Sequence, residues 1–309
     1  MSLLDGKVVI VTGAGRGIGR GEALECARQG AAVVVSELDA EAGQGVVDEI
    51  RTLGGSAVHE GGDVADVEAA DALVRRAVDE FGALDALVNN AGILRDRTLV
   101  KMTPEEWDAV IRVHLRGHYA PTHAACGYWR ENARPGHIVC TASSSGLLGN
   151  FGQSNYGAAK AGIAAFSTIV AQEMARHGVT CNAIAPAART RMTEGAYGTI
   201  GAGDGAGDGA GDGDGAADFD FWHPDNVAPM VAFLCSDASS HISGKVFGVQ
   251  GDTVEAYRPF TSMAVIDNGG SRWDPEQLAT RVDGLLTDAG LAPGAENMMA
   301  KLRFSMTQR

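Results

Sequence analysis

Residues 7–19 read KVVIVTGAGRGIG, and this stretch decides the fold. Its apolar part, Val8–Thr12, predicts a β-strand, and a helical pattern over Ile18–Gln29 follows. Glycines at such a junction let the backbone turn sharply and approach a pyrophosphate, while the helix N-terminus offers free N–H groups. The stretch therefore predicts a nucleotide-binding turn; a tight turn without a ligand is the structural alternative. The residues expected to contact the cofactor here are Gly13, Arg16, Gly17, Ile18 and Gly19.

Outward from this turn, short β-branched runs alternate with longer helical patterns as far as about Ile184. Such alternation is typical of a parallel sheet covered by helices on both faces. We expect strands at Val8–Thr12, Ala32–Ser36, Ser56–Glu60, Ala86–Asn89, His137–Thr141, Thr180–Ala185 and Val246–Val249. The predicted fold class is α/β, a single-domain, doubly wound, Rossmann-type sheet of about seven parallel strands that spans residues 1–257.

Two further stretches lie outside this alternation. Residues 201–220 contain eight glycines and six aspartates, a composition that cannot form a core, and we expect a flexible lid there, after the sixth strand. Calcium-binding repeats are also rich in Gly and Asp, but their nine-residue spacing is absent, so a metal site is the less favoured interpretation. Residues 258–309 form a C-terminal extension with a predicted helix that is entered at Asp274-Pro275 and runs through Leu278, Val282 and Leu285. We expect the extension to pack on the same domain or on a neighbouring subunit.

The composition limits the possible partners and the compartment. In a chain of 309 residues, 25 basic against 39 acidic residues give a net charge of −14. Nucleic-acid binding rests mostly on Lys and Arg, so neither nucleic acids nor anionic membranes are expected as partners. Five widely spread cysteines without a C-x-x-C pair indicate neither a disulfide framework nor a zinc ribbon, and they favour a reducing cytoplasm. With no basic signal-peptide region and no apolar run of ~18 residues, we expect a soluble protein that is not exported.

The choice of cofactor depends on the end of the second predicted strand. Glu37 lies there, close to the spacing of about 20 residues expected for an acid that binds a ribose. Its carboxylate would accept hydrogen bonds from the adenosine hydroxyls and repel the 2′-phosphate of NADP. Arg16 argues the other way, because a guanidinium can pair with that phosphate. Since repulsion of a dianion is hard to offset with one mobile arginine, NAD is the predicted cofactor.

The candidate catalytic group combines a tyrosine, a lysine and a serine. Tyr156 and Lys160 are four residues apart, so a helix places a phenol and an ammonium on one face. A positive charge stabilises a phenolate, which suits an acid/base that exchanges a proton with an alcohol. Ser143, at the end of the fifth predicted strand, could hydrogen-bond the same substrate oxygen. A surface pair of side chains and a turn rich in serine are the structural alternatives.

Taken together, these residues resemble the short-chain dehydrogenase/reductase family. The matching segments stand in family order over roughly residues 5–252; they are Thr12–Gly19, Asp63-Val64, Asn89-Asn90-Ala91-Gly92, Ser143, Tyr156 with Lys160, and Asn182-Ala183-Ile184-Ala185-Pro186. The resemblance implies that Asp63 touches the adenine, Asn90 the cofactor ribose, and that Tyr156 is the acid/base. It also implies that Lys160 binds the nicotinamide ribose and that Ser143 holds the substrate carbonyl. The other cofactor contacts that it implies are Val64, Ala91, Gly92, Pro186 and Thr190.

Two positions depart from the family pattern. His114 stands where the family commonly has an asparagine that supports a water-mediated proton path to the lysine. A neutral imidazole can both donate and accept, so His114 is expected to serve that relay. Ala187 follows Pro186 where the family usually has a glycine. A zinc site formed by His114 and His118 is disfavoured because the motif offers no third ligand.

The histidine narrows the resemblance. The chain resembles the (3R)-hydroxyacyl-CoA dehydrogenases of the peroxisomal multifunctional enzyme type 2 group and their stand-alone bacterial relatives. The positions that carry this resemblance are His114 and residues 93–97, 149–153 and 191–193. The resemblance implies an NAD-dependent oxidoreductase that oxidises a secondary alcohol, with a (3R)-hydroxyacyl-CoA as the expected substrate and a homodimer or homotetramer as the expected assembly. The alternatives are a 17β-hydroxysteroid dehydrogenase acting on free steroid, an NADPH-linked ketoacyl reductase, and an NAD-binding structural or sensor protein.

Overall fold

The computed structural model describes residues 2–190, 219–258 and 260–296. Its strands are β1 (Val8–Thr12), β2 (Ala32–Ser36), β3 (Ser56–Glu60), β4 (Ala86–Asn89), β5 (Gly136–Thr141), β6 (Val179–Pro186), β7 (Val246–Gln250) and β8 (Thr253–Tyr257). They form one sheet in the order β3-β2-β1-β4-β5-β6-β7-β8, in which β1 to β7 run parallel. The predicted doubly wound α/β fold is confirmed, and each predicted strand is present to within one residue at either end.

The eighth strand was not predicted from the sequence. β8 pairs antiparallel with β7, and Gln250 faces Thr253 across a two-residue turn at Gly251 and Asp252. Gly251 has a φ of +51°, a conformation that glycine adopts without strain. A Gly-Asp pair between two β-branched runs is itself a hairpin signal, so the sequence did contain the information for this strand.

Helices cover both faces of the sheet. They are α1 (Gly17–Arg28), α2 (Ala40–Thr52), α3 (Val67–Phe81), α4 (Pro104–Ile111), α5 (Gly117–Glu131), α6 (Ser144–Leu148), α7 (Ser154–Met174), α8 (Ala228–Leu234), α9 (Pro275–Ala279) and α10 (Val282–Asp288). Polar side chains fix several of their starts: the Asp66 carboxylate accepts hydrogen bonds from two backbone N–H groups at the start of α3, and Thr103 and Glu106 form a capping box at α4. A π-helical turn at Arg112–Arg116 joins α4 to α5.

The sheet separates two apolar cores. Val9 and Val11 of β1 belong to the core beneath α1, α2 and α8, whereas Val8 and Ile10 belong to the core beneath α3, α5 and α7. This division follows from the alternation of side chains along a strand. Because both faces are buried, the strands read as nearly continuous apolar runs and end at one common edge, where the functional residues gather.

The structure describes little of the predicted lid but most of the C-terminal extension. Residues 201–218 of the predicted lid, and 191–193, lie outside the described residues. On either side of that stretch, the backbone N–H of Arg189 donates to the Trp222 carbonyl over 2.8 Å, and the Arg189 guanidinium pairs with Asp220 at 2.5 Å. In the C-terminal extension, none of residues 260–296 is buried. The single helix predicted after Asp274 is two short helices in the structure, because α9 ends at Ala279 and α10 begins at Val282. The packing of the extension on the same domain or on a neighbouring subunit stays a prediction. Within the described ranges, no helix combines the length and apolarity needed to cross a bilayer.

Candidate active site

One cavity of about 800 Å³ opens at the carboxyl edge of the parallel strands. Every predicted catalytic and cofactor-binding residue lines it: Gly13, Arg16, Gly17, Ile18, Gly19, Glu37, Asp63, Val64, Asn90, Ala91, Gly92, His114, Ser143, Tyr156, Lys160, Pro186 and Thr190. These residues come from segments as far apart in sequence as β1 and the end of β6. The structure therefore brings the predicted site together, while the role of each residue stays a prediction.

The glycine turn after β1 leaves no room for larger side chains. A Cβ atom on Gly13 would lie 2.8 Å from Ala91 Cα, and one on Gly19 would lie 2.3 Å from the Gly13 carbonyl oxygen. Asn90 braces the turn, since its Nδ2 donates to the carbonyls of Thr12 and Gly13 over 3.0 and 3.1 Å. The turn is thus a close-packed cradle at the N-terminus of α1, the kind of place that can hold the pyrophosphate of a dinucleotide.

Glu37 lies beside this cradle. One carboxylate oxygen accepts a 3.0 Å hydrogen bond from the Gly15 N–H, and the other accepts one from the Asp39 N–H over 3.2 Å. Asp39 also forms an ion pair with Arg16, with 2.6 Å between Nη2 and Oδ2. The hydrogen bond from Arg16 lowers the pKa of Asp39, and Asp39 raises the pKa of Arg16. The arginine that could attract a 2′-phosphate is therefore already paired, with a partner that the sequence analysis did not identify.

Asp63, in the loop after β3, lines the cavity, and its contact with the adenine stays a prediction. It accepts a hydrogen bond from the Ala65 N–H over 2.9 Å and pairs with Arg112 of the π-helical turn at 2.8 Å. The pairing ties the loop after β3 to the segment that carries His114, so the cofactor end and the catalytic end of the cavity share a support.

Tyr156 and Lys160 lie on one face of α7, with Lys160 Nζ 5.6 Å from the centre of the Tyr156 ring. Lys160 is 2% exposed, and its Nζ donates a hydrogen bond to the Thr141 carbonyl at the end of β5. Burial lowers the pKa of Lys160 to about 7. The lysine is thus fixed below the tyrosine ring, and its charge state is sensitive to its surroundings near neutral pH.

Two neighbours hold the catalytic segment in place. Asn155 is fully buried; its Nδ2 donates to the Arg95 carbonyl over 3.0 Å, and its Oδ1 accepts from the Tyr156 N–H over 2.7 Å. Ser143 caps the N-terminus of α6, where its Oγ accepts a 3.2 Å hydrogen bond from the Ser145 N–H. Asn155 was absent from the predicted site, although its position directly before the tyrosine was a usable signal.

His114 is 1% exposed and lies edge-on to the Tyr156 ring, with 5.2 Å between ring centres. Its Nε2 is 2.7 Å from the Ile93 carbonyl oxygen and 3.1 Å from the Ile93 N–H. Burial, with a smaller effect from the Lys160 charge, lowers the pKa of His114 to about 3, so the ring is neutral at pH 7. A Cβ atom on Gly92 would come within 2.3 Å of His114 Cε1, so the glycine makes room for the imidazole.

His118 is also buried, one turn further along α5. Burial lowers its pKa well below the ordinary value for histidine. Across the part of the chain that the structure describes, no three His, Cys, Asp or Glu side chains lie close enough together to hold a metal ion.

Comparisons with known proteins identify the family of the chain. A family model described as short chain dehydrogenase matches residues 7–198. The chain is 43% identical to "Hydroxyacyl-CoA dehydrogenase ChsB1" of Mycobacterium tuberculosis, over 89% of this chain and 87% of that protein. It is 41% identical to the mouse peroxisomal multifunctional enzyme type 2, over 78% of this chain and 31% of that protein.

Two further similarities complete the comparison. The chain is 38% identical to a 3-oxoacyl-[acyl-carrier-protein] reductase of Synechocystis, over 82% of this chain and 99% of that protein. A crystal structure of a short chain dehydrogenase from Mycobacterium avium superimposes with a TM-score of 0.81 at 43% identity, covering 93% of this chain and 96% of that one. The chain belongs to the short-chain dehydrogenase family, and it is a nicotinamide-dependent oxidoreductase related to the hydroxyacyl-CoA dehydrogenases.

Proposed function

We propose that the protein oxidises the hydroxyl group of a (3R)-hydroxyacyl-CoA to a ketone, with NAD as the hydride acceptor. The observation that carries the reaction class is the buried Lys160 below Tyr156 at the floor of the cavity. A structural or sensor protein would need the dinucleotide cradle but would not need this pair.

In the proposed reaction, each side chain has one role. Ser143 donates a hydrogen bond to the substrate oxygen, and Tyr156 takes the proton from the same oxygen as the general base. The ammonium of Lys160 stabilises the phenolate form of Tyr156, which is the form that accepts the proton. His114, neutral at pH 7, passes protons between the site and water. The bound nicotinamide ring supplies the acceptor for the hydride that leaves the carbinol carbon.

The preference for NAD rests on the charges around the adenosine end of the cavity. Glu37 lies beside the glycine turn, where its carboxylate would accept hydrogen bonds from the ribose hydroxyls. A 2′-phosphate at the same place would face this carboxylate. Arg16 already donates from Nη2 to the Asp39 carboxylate, whose negative charge offsets the attraction of the guanidinium for that phosphate.

The acyl-CoA substrate is supported by the relatives, one of which is named a hydroxyacyl-CoA dehydrogenase at 43% identity. The 3-oxoacyl reductase at 38% identity supports the second candidate, the reverse NADPH-linked reduction of a ketoacyl thioester. Both candidates share a 3-oxygenated acyl thioester, so they differ in cofactor and direction.

A screen of NADH formation tests the proposal. It compares (3R)-hydroxyacyl-CoAs, (3S)-hydroxyacyl-CoAs and free hydroxysteroids at equal concentration. We expect the highest kcat/KM with the (3R)-thioesters and no turnover in the Tyr156→Phe variant, which should still bind NAD. Preference for a free steroid, or faster NADPH-dependent reduction of ketoacyl thioesters than NAD-dependent oxidation, would replace the proposal with one of its rivals.

We also propose that the protein is a homodimer or homotetramer. In support, the described part of the C-terminal extension exposes apolar side chains; Phe260 is fully exposed and Val265 is 80% exposed. Covering such groups is favourable, and a second copy of the chain would provide the cover. Sedimentation velocity of the full chain checks this: a single monomeric species at micromolar concentration would contradict it. Cytoplasmic location stays a prediction.

A further inference from the structure

A row of polar side chains lies along the cavity wall beside the proposed catalytic group. Its members are Asp96, Gln153, Asn150 and Ser145, which all line the cavity, and the proposed reaction uses none of them. Gln153 Nε2 donates to Asp96 Oδ2 over 2.7 Å, and Asn150 Nδ2 donates to Gln153 Oε1 over 2.8 Å. A longer contact of 3.5 Å joins Asn150 Nδ2 to Ser145 Oγ. The polar row therefore runs from the exposed Asp96 to a serine that lies two residues after Ser143.

The backbone holds both ends of the polar row in place. A β-bridge pairs Arg97 with Gln153, so the loop after β4 lies against the segment before α7. Between α6 and α7, the Gly149 N–H donates to the Ser145 carbonyl over 3.1 Å, and the Gln153 N–H donates to the Asn150 carbonyl over 3.2 Å. Asn150 is therefore fixed in a hydrogen-bonded turn at the cavity wall.

The carboxylate of Asp96 sets the direction of the hydrogen bonds in the polar row. An ionised carboxylate only accepts, so Gln153 turns its NH₂ group toward Asp96 and its carbonyl oxygen toward Asn150. Asn150 must in turn offer its own NH₂ group to Gln153. Asn150 is half-buried, and no described residue donates to its Oδ1. The side-chain oxygen of Asn150 is therefore the acceptor that the polar row leaves open at the cavity.

An open acceptor at this place suits a substrate that carries an N–H group near its reacting carbon. The Ser145 N–H donates to Ser143 Oγ over 3.2 Å, so Asn150 lies two hydrogen bonds away from the serine proposed to hold the reacting oxygen. In a hydroxyacyl-CoA, the first N–H beyond the thioester is the amide of the pantetheine arm, and only the thioester and an ethylene link separate it from the hydroxyacyl group. A free steroid has no N–H group to offer.

We propose that Asn150 is a specificity-determining residue, whose side-chain oxygen accepts a hydrogen bond from the first amide N–H of the pantetheine arm of the substrate. Asp96 and Gln153 are positioning residues that keep this oxygen turned toward the cavity. The reverse orientation, with the Asn150 NH₂ group facing the substrate, would place the Gln153 carbonyl oxygen against the Asp96 carboxylate, and both are acceptors. This inference rests on the proposed oxidation of a hydroxyacyl thioester and names the group by which the thioester is recognised.

A pair of substrates that differ only at this N–H tests the contact. The (3R)-hydroxybutyryl thioester of N-acetylcysteamine keeps the thioester and the first amide, and the matched S-(2-acetoxyethyl) thioester has an oxygen in place of the N–H. With the wild type and NAD, we expect kcat/KM for NADH formation to be about fivefold or more higher for the amide than for the ester. The difference should lie mainly in KM, because the amide is remote from the carbon that is oxidised.

Variants of the polar row should change the ratio of the two kcat/KM values, amide over ester. Asn150→Ala should remove most of the difference between the substrates. Asp96→Asn should lower the ratio in the same direction, because an amide at this position can donate and so lets both neighbouring amides turn round. The double variant should lose no more than Asn150→Ala alone, as expected for residues that act through one hydrogen bond. Asp108→Asn, at an exposed acid on α4, is the control and should leave the ratio unchanged.

The outcomes separate this inference from the proposed function. If the wild type oxidises the amide and the ester equally well, or if Asn150→Ala leaves the ratio unchanged, the contact is overturned and the dehydrogenase function stands. A normal ratio in Asp96→Asn would refute the positioning role of Asp96. If the wild type oxidises neither thioester but does oxidise a free steroid, the proposed function is wrong and this inference falls with it. Binding of NADH by each variant, followed by fluorescence, shows that the fold is retained.

Discussion

Single residues at this site gain their properties from what surrounds them. Burial lowers the pKa of Lys160, and burial also lowers the pKa of His114, so that His114 is neutral at pH 7. Glu37 is oriented by the Gly15 and Asp39 N–H groups before any ligand arrives. Preorganised groups of this kind act on a reacting molecule without having to reorganise first.

Replacement of Glu37 by alanine tests the cofactor preference at this scale. Loss of the carboxylate removes the repulsion of a 2′-phosphate and the hydrogen bonds to the ribose hydroxyls. We therefore expect the ratio of kcat/KM for NADP to that for NAD to rise by about tenfold or more, equivalent to about 1.4 kcal/mol. Asp48→Ala, an exposed acid on α2, is the control. No rise in Glu37→Ala would show that Glu37 does not select the cofactor.

The relay role of His114 is tested by two substitutions. His114→Ala removes both ring nitrogens, and we expect kcat to fall on the order of tenfold or more. His114→Asn restores a side chain that both donates and accepts, so it should recover most of the rate. Unchanged rates in both variants, measured by NADH formation, would show that the imidazole only fills space.

At the scale of elements, the junction of α4 and α5 is the most informative. The π-helical turn places His114 under Tyr156, and Gly92 in the loop after β4 leaves space for the ring. Single-turn π-helices are frequent at functional sites. His114 was recognised from the sequence as a departure from the family pattern. The π-helical turn was not predicted, because the extra residue in such a turn leaves no signature in the apolar periodicity.

A methyl group at Gly92 tests this fit. Gly92→Ala would push a Cβ atom into His114, and we expect a loss of about 1–3 kcal/mol of unfolding free energy together with reduced kcat. Gly45→Ala is the matched control, because Gly45 is exposed on α2 with open space around its Cβ position. That change should stabilise the protein by up to about 1 kcal/mol. Equal effects in urea unfolding of the two variants would contradict a tight fit at Gly92.

At the scale of the whole molecule, buried neutral histidines make stability depend on pH. The pKa of His118 is lowered in the folded chain, so the unfolded chain binds the extra proton as the pH falls below about 6.5. Folding stability is therefore lost on acidification, by about 1.4 kcal/mol per pH unit for one such group.

The contribution of His118 can be isolated by difference. From pH 6.5 to pH 4.5, the unfolding free energy of the wild type should fall more steeply than that of His118→Gln, as measured by urea denaturation. Glu22 has the opposite effect on folding stability over part of this window. Its pKa is raised in the folded chain, so as the pH falls the folded chain binds this proton before the unfolded chain does. It is present in both proteins, so it cancels in the comparison. The exposed His241 is the control, and His241→Gln should parallel the wild type. Parallel curves for His118→Gln would contradict the assignment.

The fold and the residues that line the cavity were largely predictable, since apolar runs, glycine turns and the spacing of Tyr156 and Lys160 are local signals. What could not be predicted depends on tertiary packing. Glu22 reads as an ordinary acid within an amphipathic helix, and nothing local shows that it is completely buried. The pairing of Arg16 with Asp39 likewise needs α2 to start beside the glycine turn.

The contacts of Arg189 with Trp222 and Asp220 have an architectural consequence. They hold residues 220 and 222 beside the end of β6, so the two ends of the segment 191–218 are fixed close together. Segments joined to a scaffold in this way can be exchanged as cassettes, because lengthening or shortening them moves neither end, and each doubling of length costs only about 0.6 kcal/mol in closure entropy. A change in the length of residues 191–218 should therefore leave the sheet and the cavity at its edge intact.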